Sequence, residues 1–375
     1  MRTNIIIATF LVAMRINCGN VYCIDKEENY QVKEWLVYKG RVDMPNIVLI
    51  SGDEEYRSEE ALPQLAKILS IKHGFNCTVL FAQDEGEPGI VNPNNLNNIP
   101  GLEMLQNADM MIIFTRFRAL PDEQMQYIDD YLKLGKPVMG IRTSTHAFNF
   151  SEIDFDSKFV HYGNFYDGDD EWKGGFGRFV LGEKWISHHG EHRHQSTLGI
   201  KAPGAESHPI WNGINEGEIW GPTDVYGVRL PLPGDAQPIV LGQVMNRTGE
   251  YDKKDRLYGM RITDSEVAGL EEEEEEGEKT EINRNDPMMP IAWTKSYQLQ
   301  SGKKGKVFCS TIGASTDLLF TGTRRLLVNG VFWCLEMRVP QKANVDIIDN
   351  YDPSPYAFYK EKYWLKKKLS IASLE

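Results

Sequence analysis

The feature that most restricts this chain is an alternation in its first half. Short apolar runs at Asn46–Ser51, Thr78–Phe81, Asp109–Thr115 and Pro137–Ile141 are separated by helix-periodic or Pro- and Asn-rich stretches. The first run, NIVLIS, is apolar on both faces, as a strand covered by helices on each side must be. After it, Glu59–His73 places Ala61, Leu65, Ile68, Leu69 and Lys72 in a helical rhythm, with Ser58 as N-cap and Gly74 as stop. Asn92–Gln106 reads as a connection ending in a short helix, and Pro121–Leu134 as a helix with Met125, Ile128, Tyr131 and Leu132 inward. Right-handed crossovers at these spacings predict an α/β fold: a doubly wound, mostly parallel sheet with helices on both faces. No GxGxxG follows the first strand, so a dinucleotide fingerprint is absent.

From about Ser151 the texture changes to an irregular, loop-rich insertion. Phe155–Phe179 and Gly199–Gly234 read as loops and short strands, and the Gly- and aromatic-rich Asp167–Phe179 as a candidate lid. Ile239–Val244, Ile291–Thr294 and Lys306–Thr311 read as strands and Thr323–Leu335 as a final helix. Residues 248–286 are acidic, with six consecutive glutamates at Glu271–Glu276; such density of like charge predicts a solvated surface insertion. The aromatic-rich tail, within 339–375, is expected to wrap the surface.

The net charge of −13 over 375 residues argues against a sequence-independent grip on nucleic acid, which needs basic surface. Arg2 followed by the apolar run Ile5–Met14 predicts a signal peptide over 1–23, and so a secreted or periplasmic protein; an ordinary first strand is the alternative. That run is too short for a transmembrane segment, and residues 24–45 read as a polar leader. Cys77, Cys309 and Cys334 are well separated and sit in apolar runs, so they are expected as buried small hydrophobes.

Ligands in open α/β sheets sit beyond the carboxyl ends of the strands, so the polar residues that follow each strand are the site candidates. After the fourth strand comes a crown of Arg142, Thr143, Ser144, Thr145 and His146. After the first comes Asp53-Glu54-Glu55-Tyr56-Arg57-Ser58, and after the third Arg116-Phe117-Arg118. Asp53, Tyr56, Arg57, Arg116, Arg142, Thr143 and Ser144 are read as substrate-binding, together with Trp220 and Asp224 of the aromatic and acidic run Trp220–Tyr226. Glu55 and Ser58 read instead as helix N-terminal capping and dipole groups, and the arginines also suit carboxylates of the protein itself, such as Asp53. The densest cluster is His188-His189-Gly190-Glu191-His192-Arg193-His194. His146 and His189 are the acid–base candidates. His188, His189 and His192 are candidate ligands for a divalent metal such as zinc, with His146 completing the set. The competing reading is of polar loop histidines that satisfy backbone groups, since no HExxH spacing is present.

Several segments in this order, GDEEYRSEEALPQLAKIL, FTRFR, GKPVMGIRTSTHAF, WISHHGEH, HPIWNGI, WGPTDVYG, NDPMMPIAWTK and GKVFCSTIGASTDLLFTGTRRLLVNGVFWCLE, resemble ThuA-like proteins, a family named for trehalose utilisation. The resemblance implies a flavodoxin-like domain over 46–338, related to class I glutamine amidotransferases, and a setting in carbohydrate catabolism. The chain departs from amidotransferases where they carry a nucleophilic cysteine, as G-x-C-x-G: here the run is Gly140-Ile141-Arg142-Thr143-Ser144. Without a thiolate no acyl-enzyme forms from glutamine. The leading expectation is a protein that binds a sugar or oxidised sugar and acts on it, by hydrolysis or another transformation; the alternative is a non-catalytic carbohydrate-binding or accessory module on a degenerate amidotransferase fold. The expected partner is a small carbohydrate, and further copies of the chain are allowed.

Overall fold

A computed structural model describes residues 32–151, 156–275, 278–300 and 302–375. The signal-peptide reading, 1–23, and the first part of the polar leader, 24–31, lie outside the described residues. Described by itself, the unit from Lys33 to Glu375 contains the following elements. Strands β1 (Trp35–Tyr38) and β2 (Asn46–Gly52) precede helix α1 (Ser58–Lys67), which continues as a wide π-type turn over Ile68–Lys72. Then come β3 (Asn76–Phe81), β4 (Met110–Thr115), α2 (Asp122–Lys133), β5 (Val138–Ile141) and the short α3 (Gly175–Phe179). The middle of the chain gives β6 (Ser187–His188), β7 (Gln195–Lys201), β8 (Trp220–Gly221), β9 (Tyr226–Gly227), β10 (Gln237–Asn246) and β11 (Glu266–Val267). A hairpin of β12 (Leu270–Glu275) and β13 (Glu278–Asn283) is followed by β14 (Met289–Tyr297), β15 (Gly305–Ser310), α4 (Thr321–Cys334) and α5 (Glu361–Lys367).

The main sheet has the order β1-β3-β2-β4-β5-β15-β14-β10-β7-β8, with β11 on β10. Only the set β3-β2-β4-β5-β15 is parallel; β1 and every strand beyond β15 pair antiparallel. The mostly parallel sheet of the sequence reading is therefore corrected to a mixed one. Strands β14 and β15 follow one another through a short connection that allows antiparallel return, and β10, joined to β14 through the 248–286 insertion, pairs with it in a bulged antiparallel register rather than through a crossover helix. A second correction concerns the polar leader: Trp35–Tyr38 is an edge strand, Trp35 opposite Leu80, in a stretch whose charged neighbours hide its apolar face.

Strand alternation decides which face each helix covers. Ile47 and Leu49 of β2 join the core with Ala61, Leu62 and Leu65 of α1 and Leu326, Leu327 and Val331 of α4. Val48 and Ile50 point the other way, to Met125, Ile128 and Leu132 of α2. This side-chain period of two, buried on both sides, is why NIVLIS has no polar face.

The insertion is more deeply built in than its charge suggests. Tyr258, Met260 and Ala268 are buried, the Tyr258 hydroxyl donates to the Tyr356 carbonyl, and Glu271 pairs with Arg284 at 2.9 Å. The acidic surface insertion over 248–286 thus carries a few buried apolar anchors, and its strand β11 pairs with β10 of the main sheet. In the segment 167–179, residues 174–177 are buried, while Asp167, Asp169, Asp170, Glu171 and Lys173 are exposed. A Cβ on Gly177 would lie 1.9 Å from the Thr145 carbonyl, so only glycine lets α3 approach the crown this closely. Among the described residues no helix is long and apolar enough to cross a membrane.

Candidate functional site

The parallel strands reverse their direction of progression between β2 and β4, and the loops leaving these strands meet there. A crevice outside such a reversal is where open α/β sheets place ligands. Three non-glycine residues at these strand ends have left-handed backbones: Arg57 (φ 63°), Phe117 (φ 48°) and Arg142 (φ 47°). Such backbones cost on the order of 1–3 kcal/mol each and persist only where the surroundings hold them.

Arg142 is the hub. Its guanidinium is buried between the rings of Tyr226 and Tyr56, at 3.7 and 4.3 Å from their centroids. It donates to Asp224 Oδ1 at 2.9 Å, to the Asp224 carbonyl at 2.8 Å and to the Thr311 carbonyl at 2.6 Å. The residue in the nucleophile's place thus ties the parallel half of the sheet to the antiparallel half. Burial pushes the Asp224 carboxyl up, but the Arg142 charge and hydrogen bonds from His188 and His192 hold it well below the usual carboxylate range. Asp317, anchored on the backbone N–H groups of Gly313 and Ala314 at 2.9 Å, accepts from the Thr223 hydroxyl and so fixes the loop that carries Asp224.

Asp224 holds two imidazoles. His188 Nδ1 lies 2.7 Å from Oδ2 and His192 Nδ1 lies 3.2 Å from Oδ1. An ionised carboxylate accepts only, so both Nδ1 atoms are donors, and in a neutral ring the Nε2 is then an acceptor. On the far side of His192, Nε2 is 3.4 Å from Glu55 Oε1. Burial, and then the Asp53 charge, push the Glu55 carboxyl up to about 8 against the pull of Arg116. Glu55 at neutral pH therefore keeps its proton, and His192, which burial holds below the usual imidazole range, faces it as a neutral ring. Sequence reading assigned Glu55 to helix capping and missed it. The only signal available was its place two residues past Asp53, because its neighbours His192 and Arg116 come from distant parts of the chain.

The other expected residues fall into clear places. His146 is buried, its ring against Phe117, Trp185 and Tyr226 at 4.9, 5.2 and 5.9 Å, and Nδ1 is 3.3 Å from the Thr145 hydroxyl. Burial, and then Arg116 and Arg142, keep it well below the usual range, so it is a neutral ring in an aromatic wall. His189 faces the Arg284 carbonyl, 2.8 Å from Nε2. The group with metal-ligand spacing among the described residues is His188, His192 and Asp224, whose ligand atoms lie within 4.8 Å of one another. In that group Asp224 stands where the sequence reading had His189 and His146.

Asp53 accepts from the backbone N–H groups of Glu55 and Tyr56 and from the Thr143 hydroxyl, so Asp53 and Thr143 brace the loop after β2 against the crown. The Ser144 hydroxyl donates to the Ile141 carbonyl. Ser58 does not cap α1 with its side chain but bonds the Ser51 hydroxyl and the Asp53 N–H. Arg116 and Arg118 both close on Glu54, the protein's own carboxylate, rather than on Asp53. Two of the residues expected to bind substrate are enclosed by the protein's own side chains. Arg57 is 1% exposed, pairs with Glu59 at 2.6 Å and Glu60 at 3.0 Å, and is enclosed by Tyr359 and Trp364. Trp220 is also 1% exposed, edge-on to Phe320 at 4.4 Å in the core.

No protein-family model matches the chain, and no curated protein matches it. Solved structures similar to it include the following three. A ThuA-like protein from Parabacteroides merdae is 12% identical over 85% of this chain and 99% of its own, with a TM-score of 0.42. A ThuA-like protein from Bacteroides uniformis is 13% identical over 78% of this chain and 93% of its own, with a TM-score of 0.43. A cytoplasmic protein from Salmonella typhimurium is 14% identical over 77% and 98% of the two chains, with a TM-score of 0.33. At such values no feature of the site is carried over from them. In its sequence motifs, and in solved neighbours of that name, the chain is similar to ThuA-like proteins.

Proposed function

We propose that this is a ThuA-like protein of carbohydrate catabolism that binds a sugar or oxidised sugar at the carboxyl edge of the sheet and transforms it by acid–base chemistry. The observation that carries the reading is the relay Asp224–His192–Glu55 with His188 beside it on the same carboxylate. Asp224 orients both rings, His188 Nε2 accepts a proton from a substrate hydroxyl or water, and Glu55 supplies one to the departing oxygen. A carboxyl that holds its proton, beside an imidazole oriented through one nitrogen, is a pair that suits general acid–base catalysis. Amidotransfer does not fit. Arg142 occupies the elbow, and Cys77, Cys309 and Cys334 are buried, with burial pushing their thiols up. The test is incubation of the purified chain with disaccharides and keto-sugars, with and without divalent metal. Turnover lost in His188→Ala and Glu55→Gln supports the reading. No product from any sugar, with sugar binding unaffected by both substitutions, would favour a non-catalytic binding module.

A second reading rests on the spacing of His188, His192 and Asp224, a two-imidazole, one-carboxylate donor set of the kind that leaves a metal position open. A zinc-like ion held there would supply a polarised water. The Arg142 guanidinium on the same carboxylate weakens this reading, because it places a fixed positive charge beside the ion. Elemental analysis of protein purified without a His tag separates the two: one equivalent of metal lost in His192→Ala supports a metal centre.

A further inference from the structure

The resemblance to ThuA-like proteins ends near residue 338, yet the site does not. Beyond it, the tail is fastened next to the relay: the Ala357 N–H donates to the Glu55 carbonyl at 2.9 Å, and Ser354 donates to Glu60 through its N–H and hydroxyl at 2.7 and 2.9 Å. Tyr356 is buried, stacked on Tyr56 at 5.3 Å and edge-on to His192 at 5.2 Å, with its hydroxyl donating to the Pro222 carbonyl at 3.1 Å. Two residues on, Phe358 is 53% exposed and lies under the Arg116 guanidinium at 4.9 Å. Arg116 also covers Phe117 at 4.7 Å, and Phe117 stacks on Phe165, itself 56% exposed, at 5.7 Å. Rings from three separate parts of the chain thus form one row, Phe358–Arg116–Phe117–Phe165, open at both ends. Within the row, Arg116 Nε comes within 3.8 Å of Glu55.

Single exposed apolar residues need no explanation. A row of them continuous with a cluster of ionisable groups does, because rigid rings add contact area at little cost in conformational entropy. We propose that the C-terminal segment Tyr356–Phe358 is a wall of the substrate site. Tyr356 positions His192 from behind, and Phe358, Phe117 and Phe165 receive the second ring of a glycoside whose first ring meets Glu55 and His188. The proposal rests on the sugar reading and assigns the class of ligand within it: glycosides with a ring as aglycone, over simple alkyl glycosides.

The full-length protein and Phe358→Ala are titrated calorimetrically with the 4-nitrophenyl and methyl glycosides of glucose, galactose and mannose. Phe358 is at the surface, so its removal leaves the fold in place, which circular dichroism checks. The expected result is 4-nitrophenyl glycoside binding weakened by about tenfold in Phe358→Ala, with methyl glycoside binding changed less than about twofold. Equal affinities in the two proteins, or equal weakening for both ligand types, overturn the proposal while the sugar reading stands. If the wild-type chain binds no glycoside of either type, the sugar reading fails and the proposal with it.

Discussion

The two halves of the sheet contribute to the site in opposite ways. The parallel half supplies the strand ends where a site was expected, but its cations are engaged within the protein: Arg57 on Glu59 and Glu60, Arg116 and Arg118 on Glu54, Arg142 on Asp224. The antiparallel half, in sequence a run of loops, brings Asp224, His188 and His192 over those ends. Strand-end position alone therefore says where a ligand can lie. Which groups remain available for chemistry depends on which charges have already found partners.

The largest expected effect breaks the join between the halves. Arg142→Ala leaves Asp224 buried without its cation, and loss of one partner of a buried pair costs about 3–5 kcal/mol, read as a lower midpoint in urea unfolding. Arg142→Lys recovers little, because one ammonium cannot reach three acceptors between two rings. If Arg142→Ala unfolds like wild type, the hub is wrongly identified.

Next come the two groups assigned to proton transfer. Against a turned-over sugar, His188→Ala and Glu55→Gln are each expected to lower kcat by roughly 10²–10⁴, with unfolding midpoints close to wild type for His188→Ala. By contrast His189→Ala is expected to change stability through its bond to Arg284 and leave the pH profile of kcat in place.

A pH series sharpens the assignment of Glu55. Its folded value, about 8, lies above its unfolded value, so the native state holds a proton that the unfolded state has released between the two. Its contribution to stability is present below the unfolded value and is lost as pH rises toward about 8. Each pH unit in that window removes up to ~1.4 kcal/mol from this one group. Glu55→Gln keeps the uncharged form throughout, so the stability difference between variant and wild type is expected to grow in the variant's favour from pH 5 to pH 8. A constant difference would mean that Glu55 is ionised in the folded protein.

The smallest effect concerns the acidic insertion. Glu271→Gln removes a half-buried ion pair with Arg284 and is expected to cost about 0.5–1 kcal/mol, reduced in high salt. No change at low salt would return that hairpin to the status of a solvated excursion.

How far the chain could be read in advance follows the range of the forces involved. Strands β2, β4, β5, β10, β14 and β15 and helices α1, α2 and α4 were legible because a buried strand or an amphipathic helix writes its own period into the sequence. Strand β1 was hidden by flanking charges, and β7, Gln195–Lys201, by polar residues that are buried only because β10 and β8 flank it. The crown was located correctly as an edge of the sheet, but His146 and Arg57 could not be read from type and spacing as enclosed side chains, since the rings that enclose them are remote in sequence.

By itself, then, the sequence determined the alternation of strands and helices, the absence of a nucleophilic cysteine at the elbow, and the histidine-rich segment near Trp185. Local period and residue identity are sufficient for these. Only the tertiary structure decided that Arg142 is a buried brace, that Glu55 and not His189 stands next to His192, and that Phe358 from the tail joins Phe117 and Phe165. The reason is physical. A side chain's charge state and availability are set by desolvation and by partners within a few ångströms, and here those partners are separated along the chain by tens to hundreds of residues.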